Sequence, residues 1–218
     1  MDKKPDAYIP ALSYDFLTPL YDSLIRLTMP ERAFKRRLVE QARFGEGQRV
    51  LDLGCGTATL TLLAKEMSPG ADVTGLDGDP RILEIARKKA ERAGADISLD
   101  LGMSYELPYP DESFDRVLSS LFFHHLTRED KTHTLEEVRR VLRAGGELHV
   151  ADFGRSQNLL MRVASLPWRA FDGRETTADN VAGRLPEMMR RCGFTDVHES
   201  ARYMTLFGTL SLYQGRKV

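Results

Sequence analysis

The sequence predicts an α/β fold in the Rossmann-like style, a doubly wound and mostly parallel sheet with helices on both faces. Three observations carry that expectation. Val50-Leu51-Asp52-Leu53 is a β-prone run that passes directly into a turn with two glycines, Gly54 and Gly56, and helical spacing begins at Thr59. Strand-like and helix-like segments then alternate along the chain, which implies parallel strands joined by crossover helices. Two of the strands end in a carboxylate, Asp52 and Asp77. Right-handed crossovers put both at the carboxyl edge of the sheet, where ligands bind in open α/β folds.

The elements follow in order. Strand 48–53 leads into the glycine turn, where missing Cβ atoms permit tight turning and close approach of a ligand. Val73-Thr74-Gly75-Leu76-Asp77 is a second short strand. A helix is expected near 80–93, strands near 96–101 and 114–119, a helix near 129–142 and a strand near 146–152. Arg143-Ala144-Gly145-Gly146 has the composition of a helix stop, with glycine taking the left-handed cap. Cys192-Gly193 is a second such cap. Strands near 195–206 and 209–216, separated by Gly208, must be antiparallel because so short a turn joins them.

At 218 residues and 42% apolar, the chain suits a single domain, 1–218, with appended elements. A net charge of −1 argues against nucleic acid as partner. Arg32, Lys35, Arg36, Arg37 and Arg43 are the nearest approach to a basic patch, and on a helix they surround Phe34 and Leu38 as a solvated face. Two cysteines, Cys55 and Cys192, make no disulfide framework, and no apolar run approaches the roughly 18 residues of a membrane span, so a cytoplasmic protein is expected. No metal is expected either. His124 and His125 are adjacent, which on an α-helix turns them about 100° apart, and His133, His149 and His198 share no ligand spacing with them.

The glycine turn narrows the cofactor. Dinucleotide sites need a third glycine five residues after the first, and Thr59 stands there. Asp52, immediately before the turn, suits a ligand with a positive group and no phosphate. Asp77 follows Gly56 at the spacing of an acid that binds ribose hydroxyls. In these residues, and in Leu107-Pro108-Tyr109-Pro110-Asp111-Glu112-Ser113-Phe114-Asp115, the chain resembles the class I S-adenosylmethionine-dependent methyltransferases, on the branch of ubiquinone and menaquinone biosynthesis. Asp52 to Thr57 match the family motif position by position, while Ala58 stands where the family has glycine. Gly102-Met103-Ser104 departs from the family's Gly-Asp-Ala, leaving adenine to Ser104, to a backbone group or to packing on Met103.

The resemblance implies a seven-stranded sheet with its last strand reversed, and S-adenosylmethionine as cofactor. The residues expected around it are Tyr21, Asp52, Gly54, Cys55, Gly56, Thr57, Asp77, Gly78, Met103, Ser104 and Ser119. Residues 8–45 would form an amino-terminal helical lid and 155–190 a substrate-side insertion. Packing against the sheet is the other reading of both. Their apolar content points to a small hydrophobic acceptor, methylated at oxygen, carbon or nitrogen and lined by Tyr14, Phe122 and Trp168. If the acceptor must lose a proton, His125 is the first candidate base and His124 the second; the alternative is a histidine that only walls the crevice. Two competing functions remain at this level, an NAD-dependent oxidoreductase and a catalytically silent cofactor-binding partner subunit. Assembly as a homodimer is left open.

Overall fold

The computed structural model describes residues 31–164 and 174–218. Its elements are α1 (Glu31–Ala42), β1 (Arg49–Leu53), α2 (Thr59–Met67), β2 (Asp72–Asp77), α3 (Pro80–Ala93), β3 (Ser98–Leu101), β4 (Phe114–Ser120), a 3-10 turn (Phe123–His125), α4 (Arg128–Val141), β5 (Leu142–Phe153), α5 (Leu159–Ala164), α6 (Arg174–Val181), α7 (Leu185–Arg191), β6 (Thr195–Thr205) and β7 (Gly208–Arg216). The seven strands form one sheet in the order β3-β2-β1-β4-β5-β7-β6. β1 to β5 pair in parallel, and β7 runs antiparallel to both β5 and β6.

Helices cover both faces because the central strands are apolar on both sides. Val50, Val73 and Leu118 pack with Phe34 and Leu38 of α1 and with Leu60 and Ala64 of α2. Leu51, Leu53, Val117 and Leu148 pack with Leu135 and Val138 of α4 and with Leu185 and Met189 of α7. The basic residues of α1 lie around this buried stripe and pair locally, Lys35 with Glu31 at 2.7 Å and Arg36 with Glu40 at 3.0 Å. Residues 31–42 of the expected lid are therefore a layer of the core.

Helix ends follow local chemistry. Asp79 caps α3 by accepting from the Arg81 and Ile82 amides, with Pro80 at the first helical position. The stop expected at 143–146 is corrected. α4 ends at Val141 without a left-handed residue, because the Leu142 amide bonds back to Val138 while its own backbone is already extended (φ −71°, ψ 139°). Gly145 does adopt φ +76°, but inside β5. There the register with β4 jumps from Phe114–Leu142 to Arg116–Glu147, so residues 143–146 form a bulge rather than a cap.

Candidate active site

β1 and β4 are paired neighbours, and the turns leaving their carboxyl ends meet. In the first turn the two glycines do different work. A Cβ on Gly54 would lie 2.3 Å from Cδ2 of Phe122, so the empty side of Gly54 is filled by the Phe122 ring. A Cβ on Gly56 would meet no described atom within 4 Å. Gly56 is thus the glycine that leaves room for a ligand. Both have positive φ, +67° and +54°, and so does Ala58, at +60°. The family's glycine at that position has a physical reason: alanine is held left-handed here, at a cost of about 1 kcal/mol.

The two strand-end acids differ as sharply. Asp77 accepts the Gly56 amide at 2.9 Å and the Asp79 amide at 3.0 Å, and Gly78 also favours its charged form. Burial nevertheless raises its pKa above the ordinary carboxylate value. Asp52 is 1% exposed and takes the Thr61 hydroxyl at 2.6 Å. Burial pushes it up to about 6, against the lowering effect of Thr61 and Lys35. Cys55 is buried against Gly75 of β2, and its thiol is raised well above its usual value by burial and then by Asp52, Asp77 and Asp100. The turn therefore sits in a negative field that favours a cation.

The second turn is built from side chains. Leu121 is left-handed at φ +56°, which swings Phe122 towards Gly54. Phe123 is wholly buried, and its ring meets that of Phe122 edge-on at 5.9 Å. His124 is tied to Asp152 at the end of β5, its Nδ1 lying 2.7 Å from Oδ1 and its amide donating to Oδ2 at 3.2 Å. Asp152 also accepts the Phe153 amide at 2.6 Å. The expected splay of His124 and His125 is corrected: a 3-10 turn sets successive side chains about 120° apart, yet the two rings lie 4.0 Å apart, with His124 anchored by Asp152. Burial holds the His125 pKa well below that of free histidine, with His124 and Lys131 adding to the effect. Its ring is neutral at pH 7 and can accept a proton.

Comparison with known proteins assigns the chain. The family described as "Methyltransferase domain" matches residues 50–146. A demethylmenaquinone methyltransferase of Deinococcus radiodurans is 30% identical over 222 residues, covering 92% of this chain and 89% of that protein. The chain belongs to the class I S-adenosylmethionine-dependent methyltransferases of the quinone-biosynthesis type. The demethylmenaquinone methyltransferase of Thermus thermophilus is 39% identical over 139 residues, 63% of this chain and 62% of that protein. A solved S-adenosylmethionine-dependent methyltransferase from Aquifex aeolicus shares the fold, with TM-score 0.65 and 17% identity over 90% of this chain and 98% of that one. The enzyme uses S-adenosylmethionine to methylate a small molecule, and neither the oxidoreductase nor the silent-subunit alternative is favoured. Among the described residues no helix is long and apolar enough to cross a membrane, and no cluster of three or more His, Cys, Asp or Glu could hold a metal.

The methyltransferase's other expected site residues are distributed as follows. Thr57 and Thr59 share Lys89 of α3, whose Nζ lies 3.4 and 2.6 Å from their hydroxyls. Ser119 is fully buried and donates to the Leu53 carbonyl at 3.0 Å, stitching β4 to β1. The Ser104 hydroxyl is engaged with Thr134 of α4 at 2.8 Å, whereas Met103 is half-buried in a bridge to Glu106. Tyr14, Tyr21 and Trp168 lie outside the described residues, as do 8–30 of the lid and 165–173 of the insertion.

Sequence reasoning missed Thr61 and Asp152. Asp152 had a usable signal, a carboxylate closing an apolar strand as Asp52 and Asp77 do. Thr61 had none. The cradle fits the cofactor: open space at Gly56, a carboxylate beside it with backbone donors, and a negative field.

Proposed function

We propose that the enzyme methylates a ring carbon of a demethylated quinone of the menaquinone type, taken in its reduced, phenolic form and carrying an apolar tail. Asp77 and Gly56 hold the adenosine end of the cofactor, with Met103 against adenine, and Asp52 acts on the amino acid tail through the turn it buttresses. When bound, the cofactor supplies a methyl group on a positive sulfur that departs as a neutral thioether. The protein's part is alignment, exclusion of water and removal of one proton. His125 takes the proton of the acceptor's ring hydroxyl, so that the electron pair of the resulting phenolate is delivered to the ring carbon that attacks; that carbon then gives up its own hydrogen as a proton while the oxygen takes one back, which restores the aromatic ring with a net loss of one proton. A quinone ring is electrophilic and cannot attack, which is why the reduced form is the acceptor.

The observation that carries this reading is the contact between Phe122 and Gly54. It supports the reading by setting an aromatic wall against the turn taken as the cofactor's seat, three residues before His125 in the chain. The relatives' activity as demethylmenaquinone methyltransferases and the exposed Leu159, Leu160 and Val163 of α5 support an apolar acceptor. Incubation with methyl-labelled cofactor and a chemically reduced demethylated naphthoquinone in detergent tests it. Label on the ring carbon is expected. Label that appears only on a different class of acceptor from a lipid or metabolite extract would overturn the assignment.

A further inference from the structure

Methyl transfer turns a cationic cofactor into a neutral one, and the enzyme must let the neutral form go. The amino acid tail and the adenosine are the same before and after, so a group that tells the two apart has to sense the sulfur. On the reading proposed above, the ribose lies at Asp77 and the tail over the turn that buried Asp52 buttresses, and the sulfur joins them. Gly54 belongs to that turn, and the Phe122 ring fills its empty side.

We propose that Phe122 is a specificity-determining residue that presents its ring to the sulfonium and so favours S-adenosylmethionine over S-adenosylhomocysteine. This rests on the reading of the 54–57 turn as the seat of the cofactor. A ring face attracts a desolvated cation through its quadrupole and has no such attraction for a thioether. The ring is set for the task before any ligand arrives. The left-handed backbone of Leu121 aims it, the edge of Phe123 braces it at 5.9 Å, and the absence of a Cβ at Gly54 lets it approach the turn. Asp52, Asp77 and Asp100 add a negative field around the same turn, but they act on both cofactor forms through the shared ammonium group as well. The ring's contribution is the part confined to the sulfur.

Equilibrium dissociation constants for S-adenosylmethionine and S-adenosylhomocysteine, measured by calorimetry on the whole chain, separate these effects without any turnover. For Phe122→Leu, binding of S-adenosylmethionine should weaken about threefold to tenfold while S-adenosylhomocysteine stays within about twofold. Phe122→Tyr, which keeps the ring, should restore the wild-type ratio. Gly54→Ala displaces the ring without removing it and should lower the ratio in the same direction. An analogue with a protonated amine in place of the sulfonium should follow S-adenosylmethionine across all three variants. Equal weakening of both cofactor forms in Phe122→Leu would make the ring a plain wall and overturn the proposal alone. Wild-type protein that bound neither form would overturn the reading of the turn and the proposal with it.

Discussion

The turns after β1 and β4 leave neighbouring strand ends and touch each other, yet they are built on opposite principles. The first works by what it lacks: Gly54 and Gly56 have no side chains, and the contacts to Asp77 come from backbone amides. The second works by what it carries, with Phe122 leading into a 3-10 turn of Phe123, His124 and His125 that is tied to β5 through Asp152. Each holds a non-glycine residue left-handed, Ala58 at φ +60° and Leu121 at φ +56°. Binding should therefore belong to one turn and proton transfer to the other.

His125→Ala tests that division most severely. The expected fall in kcat is about 100-fold or more, with affinity for S-adenosylhomocysteine unchanged. Parallel loss of cofactor binding would erase the distinction between the turns. The pH profile sharpens the same point. Because burial holds the His125 pKa well below 6.5, the basic form is present throughout the neutral range, and activity is lost only as pH falls through that depressed value. A break in kcat near pH 6.5 that vanishes in His125→Ala would contradict the burial argument.

Asp77→Asn addresses the other turn. Loss of charged hydrogen bonds to ribose and weaker support of the Gly56 amide should raise the dissociation constant of S-adenosylhomocysteine by about 30-fold. At saturating cofactor, kcat should change far less. A variant with normal cofactor affinity and low kcat would reverse the assignment.

Asp52→Asn contrasts the two acids within one region. Its carboxyl has a pKa of about 6 in the fold. In the unfolded chain the value is about 3.9. The folded state therefore binds more protons between those values, and the contribution of Asp52 to stability, present below about pH 3.9, is lost as pH rises through about 6. Wild type should lose about 3 kcal/mol relative to Asp52→Asn over that window, measured by urea unfolding at several pH values. A flat difference would show that Asp52 is charged and solvated rather than buried with Thr61. The smallest expected effect is at Ala58→Gly. Relief of the left-handed alanine should stabilise the fold by up to about 1 kcal/mol, although glycine costs backbone entropy elsewhere.

What could be read in the sequence follows from how local each feature is. The β1-turn-α2 unit, the acid at Asp77 and the β6–β7 hairpin depend on residues close along the chain, and all three were legible. The separate duties of Gly54 and Gly56 were not, because Phe122 reaches Gly54 only after β4 pairs with β1. The Asp152–His124 contact spans 28 residues and two strands. Gly145 misled for a different reason: a left-handed glycine after a helix has the same signature whether it caps the helix or kinks the next strand. The approach of the two histidine rings was not legible either, since side-chain rotamers and the distant Asp152 set it and helical spacing does not.

The most direct measurement is a crystal structure of the enzyme with S-adenosylhomocysteine bound. The ribose hydroxyls should lie within hydrogen-bond distance of Asp77, the ligand should pass over Gly56, and its sulfur should face the Phe122 ring on the side of His125. A ligand seated away from Gly56, or an Asp77 carboxylate turned from the sugar, would contradict the division of labour between the two turns.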